Sequence, residues 1–400
     1  MIELNNSEVI STPCYYYNLQ LLENTLDRVG TLAKENRFIV HYAVKANANH
    51  RLLNIIASNG LGADCVSGNE VRIALDSGFD NQKIVFAGVG KTDGEIEFAL
   101  DHKIFCFHCE SVQELKIINH LAAKRGTTAA VALRLNPNVS AHTHAHITTG
   151  LIENKFGLSE DELVEAKNIL PSLNNVELIG LHFHIGSQIT DLDVFRRLAL
   201  KINQLNNQYF SEFPFKYLNV GGGLGIDYHS PDQNPMPDFE GYFNTFRKYL
   251  KLNSHQMVHF ELGRSIVGQC GYLITRVIYV KGTSDHRFVV VDAGMNDLLR
   301  PALYGAKHKI INISSTGITS KYDVVGPVCE SADCFDKNVE LPETQRGDLM
   351  AILSCGAYGE AMSSRYNLRD NPGIVFSDRG DERKTLNTGN QEVLTKEILT

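Results

Sequence analysis

The chain carries no excess of positive charge. Its 38 lysines and arginines stand against 46 aspartates and glutamates, a formal net charge of −8. The basic clusters are short and scattered, which argues against a dedicated nucleic-acid binder. No apolar run approaches the ~20 residues of a membrane span. The opening stretch MIELNNSEVIST shows no basic region leading into an apolar run, so no secretory signal is expected and the cytoplasm is the expected location. There is no internal repeat and no low-complexity segment. No G-x-G-x-x-G follows the first strand-like run, which weakens a doubly wound nucleotide-binding sheet. A disulfide framework is not expected either. Cys14, Cys65, Cys106, Cys109, Cys270, Cys329, Cys334 and Cys355 are eight cysteines in 400 residues, a density that reads as reduced thiols.

What the sequence does have is a series of short apolar or β-branched runs. They are FIVHYAV (38–44), LGADCV (61–66), KIVFAG (83–88), IFCFHC (104–109), AAVALRL (129–135), LIGLHFHIG (178–186), FKYLNVGGG (215–223) and MVHFELG (257–263). Between them lie amphipathic stretches such as 50–60, 69–79 and 111–126, with apolar residues at three and four spacing and several glycine stops. Buried strands alternating with helices imply parallel βαβ units. Eight units in about 230 residues match a (β/α)8 TIM-type barrel. After residue 265 the texture becomes β-rich, with GYLITRVIYVKG (271–282) and HRFVVVDAG (286–294), and TPCYYYNL (12–19) has strand character too. The expected organisation is an α/β barrel over 30–265, a mostly antiparallel β domain from 1–29 and 266–376, and a polar, partly mobile tail over 377–400.

Barrel chemistry sits at the C-terminal ends of the strands, and that rule selects residues. Lys45 ends the first run, where a lysine at the tip of a buried strand is costly unless its amine is used. His184 and Ser187 end the sixth run, Gly221, Gly222 and Gly223 the seventh, and Glu261 and Arg264 the eighth. Glycines after the seventh strand suit an anion-binding loop as well as a plain turn. The His182-x-His184 pair invites a metal reading, but a zinc site wants three or four ligands and this pattern supplies two. Cys106-x-x-Cys109 has no second pair at ligand spacing and reads as core packing. The histidines of AHTHAHITTG (141–150) read as a solvated loop. A phosphate-binding loop, an amine, an imidazole and a carboxylate on one rim suggest a phosphate-bearing aldehyde cofactor, with pyridoxal phosphate the usual Schiff-base partner of lysine.

Longer motifs carry a family resemblance. YAVKANAN, GADCVSGNE, NPNVSAHTHAHITTGLIENKFG, HFHIGSQI, NVGGGLGIDY, RPALYGA, VGPVCESAD and GAYGEAMSSRYN resemble diaminopimelate decarboxylases, pyridoxal-phosphate enzymes of the alanine-racemase fold type. The resemblance spans roughly 12–370 in the family's order. It implies a homodimer with active sites at the subunit interface and pyridoxal 5'-phosphate carried on Lys45. It implies cofactor contacts from Asp64, His184, Ser187, Gly221–Gly223, Glu261, Gly263, Arg264 and Tyr358. Arg264, Arg300, Tyr304, Glu330 and Tyr358 would contact substrate, and Cys329 would donate a proton, with Cys329 and Glu330 reaching across from the partner. The usual Glu-Pro-Gly-Arg has Leu262 for proline, which is expected to loosen that loop slightly.

The implied reaction takes meso-2,6-diaminopimelate to L-lysine and CO2 at the D-configured end, the last step of lysine biosynthesis, through a Lys45 aldimine and a quinonoid. The competing readings are decarboxylation of carboxynorspermidine or a carrier-bound amino acid, a non-catalytic cofactor carrier, and a racemase using Tyr358. No metal, nucleic-acid or membrane partner is expected.

Overall fold

All eight apolar runs form strands. The computed structural model describes residues 11–139, 155–211, 213, 215–283 and 286–377, with the backbone of 385–388 and 391–394. The histidine run 141–150 lies outside the described residues. After β1 (Cys14–Tyr17) come β2 (Phe38–Ala43), β3 (Gly62–Cys65), β4 (Ile84–Phe86), β5 (Cys106–Cys109), β6 (Ala129–Arg134), β7 (Val176–His182), β8 (Tyr217–Asn219) and β9 (Met257–Leu262). These last eight close into a parallel barrel, and β9 meets β2 with His41 opposite Glu261. Side-chain caps start the helices that follow the strands. Asn49 accepts from Arg51 N–H, Ser67 from Glu70 N–H and Ser111 from Glu114 N–H, so the strand-to-helix turns are written locally in the sequence.

Strand alternation divides each barrel strand between two environments. On β9, Phe260 packs outward against Tyr242, Phe243 and Phe246 of the helix Phe239–Tyr249. Its neighbours His259 and Glu261 take the other face. Branched aliphatics usually fill a barrel interior. Here His41, Asp64, His108, His182, Asn219, His259 and Glu261 are all buried instead. Leu262 ends β9 in register with Tyr42 and is buried. The position where the family usually has proline is thus a paired strand end rather than a loosened loop.

The rest of the described chain forms a second sheet. It contains β1, β10 (Gly271–Gly282), β11 (Arg287–Val291), β12 (Ile310–Asn312), β13 (Thr319–Val325), β14 (Cys334–Pro342), β15 (Leu349–Ile352), β16 (Gly373–Phe376), β17 (Thr385–Thr388) and β18 (Gln391–Leu394). Pairing is antiparallel except between β1 and β16 and between β11 and β13. β1 lies along β10, with Tyr15 opposite Leu273. Cys14, Ile274, Leu349, Ala351, Leu353 and Val375 form an apolar core on one face. Within 377–400, β17 and β18 pair antiparallel with each other.

The chain divides into two compact units. Leu26–Gly225 and Asp238–Gly263 make up the barrel unit, and the residues to Thr25, Ile226–Pro237 and Arg264 onward make up the sheet unit. The excursion Ile226–Pro237 therefore interrupts the continuous 30–265 stretch expected for the barrel. It is tied to the sheet unit by Arg264 donating to the Tyr228 hydroxyl at 2.6 Å and by a 2.6 Å Lys309–Asp232 ion pair. Among the described residues no helix is long and apolar enough to cross a membrane.

Candidate active site

β2 stops at Ala43, and a single 3-10 turn, Val44–Ala46, carries Lys45. Ala43 is paired with Asp64 on β3. That register brings Lys45 Nζ to 2.7 Å from Asp64 Oδ2, with side-chain exposures of 35% and 0%. Burial raises the Asp64 proton affinity, and the nearby Glu261 charge adds to this, while Lys45 opposes both. The lysine charge at the strand tip is thus compensated by a buried carboxylate whose Oδ1 has no hydrogen-bond partner.

His184 follows β7 by two residues and is partly exposed. Gly222 N–H donates to His184 Nδ1 at 3.3 Å, which places the ring proton on Nε2. Burial, then the charges of Arg134 and Lys45, hold the ring well below its ordinary range, so it is a neutral, flat surface. Ser187 lies three residues on, in the same partly exposed segment.

The glycine triplet has a more immediate cause than anion binding. Gly221 and Gly223 adopt φ of +74° and +100°. A Cβ on Gly221 would lie 2.2 Å from Phe183 O, one on Gly222 1.8 Å from Glu261 O, and one on Gly223 2.5 Å from Gly186 O. The Gly221 and Gly222 N–H groups are taken up by Asn219 Oδ1 and His184 Nδ1. Close backbone approach between neighbouring strand ends is what demands glycine here. Gly263 is similarly confined, its would-be Cβ 2.9 Å from the Ala46 Cβ.

Glu261 is 5% exposed. Burial pushes its carboxyl up to about 7, against the lowering influence of Lys45, Arg134 and the Asn219 hydrogen bond. Asn219 Nδ2 donates to Oε1 at 2.8 Å, His182 Nε2 lies 3.2 Å from Oε2, and His108 Nδ1 lies 3.4 Å from Oε1. Beyond these, Arg134 pairs with Glu110 at 2.5 Å. Sequence reasoning did not pick out His108, Asn219, Arg134 or Glu110, and it weighed His182 only as half of a metal pair. His108, His182 and Glu261 are close enough to share an ion. However, the two rings stack at a 4.0 Å centroid separation and 25°. Lone pairs of stacked rings run side by side, so no single ion lies in the plane of both, which tetrahedral coordination would need. Cys106 and Cys109 are buried in β5, and burial raises both thiols well above their usual range, as expected of inert core thiols.

The remaining candidates lie in the sheet unit. Arg264 and Arg300 are buried, and their guanidiniums sit 5.9 and 5.5 Å from the Tyr228 ring centre. Arg264 also lies 4.9 Å from the Tyr358 ring, and Arg300 6.0 Å from Tyr304. Tyr358 has φ +57°, an unusual conformation for an aromatic residue and one found at functional sites. Arg300 is 6% exposed, its Nε has no hydrogen-bond partner, and among the described residues no carboxylate forms an ion pair with it. Cys329 is the one exposed cysteine of the eight, and its N–H donates to Asn367 Oδ1 at 3.3 Å. The neighbouring Glu330, also exposed, accepts from the Tyr366 hydroxyl.

The barrel-unit residues fit a pyridoxal group. Lys45 supplies an amine and His184 a neutral ring to lie against another ring. Glu261, with a proton affinity near neutrality, can share a proton with a pyridine nitrogen.

Comparison with known proteins agrees with this fit. The pyridoxal-binding domain of the pyridoxal-dependent decarboxylases matches residues 22–268. A diaminopimelate decarboxylase of Bacteroides thetaiotaomicron is 51% identical over 94% of this chain and 98% of its own length. A point variant of the Helicobacter pylori diaminopimelate decarboxylase, solved with L-lysine, superimposes with a TM-score of 0.87 at 39% identity, covering 93% of each chain. The M. jannaschii diaminopimelate decarboxylase, also solved with L-lysine, gives 0.85 at 36% identity, covering 93% of this chain and 88% of its own. Joined to a closed eight-stranded parallel barrel and a separate, mostly antiparallel sheet, these matches place the chain in the diaminopimelate decarboxylase family of pyridoxal-phosphate-dependent decarboxylases.

Proposed function

We propose that the chain decarboxylates meso-2,6-diaminopimelate at its D-configured end to give L-lysine and CO2, as the last step of lysine biosynthesis in the cytoplasm. The observation that carries the substrate assignment is Arg300, a buried guanidinium without a carboxylate partner among the described residues. A buried cation is expensive unless paired, and the distal carboxylate of a two-headed amino acid supplies the missing anion. A guanidinium binds such a group through two parallel hydrogen bonds. A diamine precursor lacking that carboxylate leaves Arg300 unpaired, which is a strong basis for rejection.

Bound to Lys45, pyridoxal phosphate supplies the sink for the electron pair left behind when CO2 departs. Lys45 is the attachment point, and Asp64 holds its amine at the strand tip. His184 supports one face of the ring as a neutral imidazole. Glu261 keeps the pyridine nitrogen protonated, which deepens the sink. Ser187 and the Gly221–Gly223 turn face the phosphate. Arg264, Arg300, Tyr304 and Tyr358 grip the distal end of the substrate together with Glu330. Cys329 returns a proton to the α-carbon. A thiol can act as a general acid and suits that step. Exposure of Cys329 and Glu330 on their own chain suits a homodimer in which each copy lends both residues to the other's site.

CO2 release measured with meso-diaminopimelate, ornithine and alanine tests the proposal. Release from meso-diaminopimelate alone is expected. Equal release from ornithine removes the distal-carboxylate argument, and racemisation of alanine without CO2 replaces the proposal with a racemase.

A further inference from the structure

A hydrogen-bond chain runs inside the barrel from the glycine turn to Glu261, and its backbone and amide donors orient the groups that follow them. It starts at a backbone group that can only donate: Gly221 N–H donates to Asn219 Oδ1 at 2.8 Å. That bond orients the amide, since its oxygen must face the N–H. Asn219 Nδ2 therefore turns its two protons to Glu261 Oε1 at 2.8 Å and the Tyr217 hydroxyl oxygen at 2.7 Å. Tyr217 has one proton of its own, and it goes to His108 Nε2 at 2.7 Å. Burial, then His182, holds His108 well below its ordinary range, so this ring is neutral. With Nε2 accepting, its proton sits on Nδ1, which lies 3.4 Å from Glu261 Oε1 without a hydrogen bond to it. The Asn219 branch ends in a hydrogen bond on Oε1, the His108 branch in an N–H dipole beside the same oxygen, and Asn219, His108 and Tyr217 are at most 2% exposed.

We propose that Asn219, Tyr217 and His108 are positioning residues that favour the charged form of Glu261, Asn219 by its hydrogen bond to Oε1 and Tyr217 and His108 by the Nδ1 proton held beside that oxygen, so that a negative charge is ready for a protonated pyridine nitrogen. This rests on the reading of Glu261 given under the proposed function. The other groups facing this carboxylate pull in both directions. Lys45 and Arg134 favour its charge, while Asp64 and Glu110 oppose it, and the buried phenol of Tyr242 stays neutral beside it. His182 meets Oε2 at 3.2 Å. With burial pushing Glu261 up to about 7 against Lys45, Arg134 and the Asn219 hydrogen bond, the polar groups beside Oε1 weigh on its charge at neutral pH.

Tyr217 is the informative position because its hydroxyl bonds Asn219 and His108 rather than Glu261. Tyr217→Phe frees His108 to move its proton to Nε2. A lone pair on Nδ1 then faces Oε1, which favours protonated Glu261.

The test is the dissociation constant of pyridoxal phosphate from the full-length protein across pH. The proteins compared are wild type, Tyr217→Phe, His108→Gln, Glu261→Gln and Tyr217→Phe/Glu261→Gln. A protonated Glu261 must shed its proton to pair with the ring. Tyr217→Phe and His108→Gln are therefore expected to bind more weakly than wild type at about pH 6 and equally at about pH 9, with roughly tenfold at the acid end for each unit by which Glu261 is raised. On the Glu261→Gln background the effect of Tyr217→Phe should vanish. A weakening that is the same at every pH, or that persists in the double variant, overturns the inference and leaves the role of Glu261 standing. Wild-type binding at every pH in Glu261→Gln overturns the role of Glu261, and the inference with it. Should Tyr217→Phe fail to fold, His108→Gln alone decides, by the same pH criterion.

Discussion

Replacing Lys45 by methionine tests the electrostatics of the strand tip apart from any reaction. Asp64 is fully buried, with Lys45 Nζ 2.7 Å from Oδ2 and Oδ1 without a hydrogen bond. Removing one partner of a fully buried ion pair costs about 3–5 kcal/mol, because the other charge stays behind. Lys45 keeps 35% side-chain exposure, so part of its attraction is screened by water, and the low end, about 3 kcal/mol, is the expected loss. The loss has a pH signature. Burial already raises the proton affinity of Asp64, and without Lys45 it rises further. A carboxyl that binds protons more tightly folded than unfolded destabilises the fold as pH rises through its folded value. The deficit should therefore grow as pH rises above the ordinary carboxyl range and level off once the buried carboxyl has ionised. Asp64→Asn in the Lys45→Met background removes the stranded charge and should recover most of the loss. Urea midpoints of the cofactor-free proteins, followed by far-ultraviolet circular dichroism, measure this directly. A deficit independent of pH, or one untouched by Asp64→Asn, refutes the reasoning.

Three further outcomes are expected elsewhere in the molecule. Gly222→Ala places a Cβ 1.8 Å from Glu261 O, so the β8 and β9 ends must part; a clear fall in melting temperature and lost cofactor retention are expected, and wild-type values of both would show that this turn tolerates a side chain. His41 is held down to about 4 from its ordinary value of 6.5, chiefly by burial. Protons therefore favour the unfolded chain as pH falls between those values, a loss of about 3 kcal/mol that His41→Gln should abolish, read as a flatter acid limb in urea midpoints against pH. Arg300→Gln should raise KM for meso-diaminopimelate at least tenfold, since a charged hydrogen bond to carboxylate contributes about 1.5–3 kcal/mol, and unchanged KM in steady-state assays would remove Arg300 from the substrate site.

The barrel strands were legible because parallel strands buried on both faces read as uninterrupted apolar runs. Lys45 and Glu261 stood out as charges at the ends of such runs. The barrel interior was not legible for a topological reason. His41 bonds His259 across 218 residues of chain, and Asn219 bonds Glu261 across 42. Periodicity shows that a strand alternates, yet it does not show which strands meet. A signal was present in His259-x-Glu261, Tyr217-x-Asn219 and His182-x-His184, where polar residues recur at spacing two inside apolar strands. The excursion Ile226–Pro237 was hidden similarly, since its ties to Arg264 and Lys309 are long-range and leave no local pattern.

A polar barrel interior must be reconciled with stability, because a buried polar group stabilises nothing unless it is bonded. The two faces of β9 resolve this by taking different tasks. Outward, Phe260 sits in a cluster with Tyr242, Phe243 and Phe246, and burying such rings contributes on the order of 2 kcal/mol each. Inward, one residue later, Glu261 is buried at a net cost that burial registers by raising its proton affinity to about 7. The outward face can carry that cost, and the inward face is then released from packing to serve chemistry. His41 and Tyr42 on β2, and Leu218 and Asn219 on β8, repeat the alternation. Glu261, His108, His182 and Asn219 thus belong to one buried polar interior, and a carboxylate with tunable charge is possible at Glu261 because the strands holding it are anchored from outside.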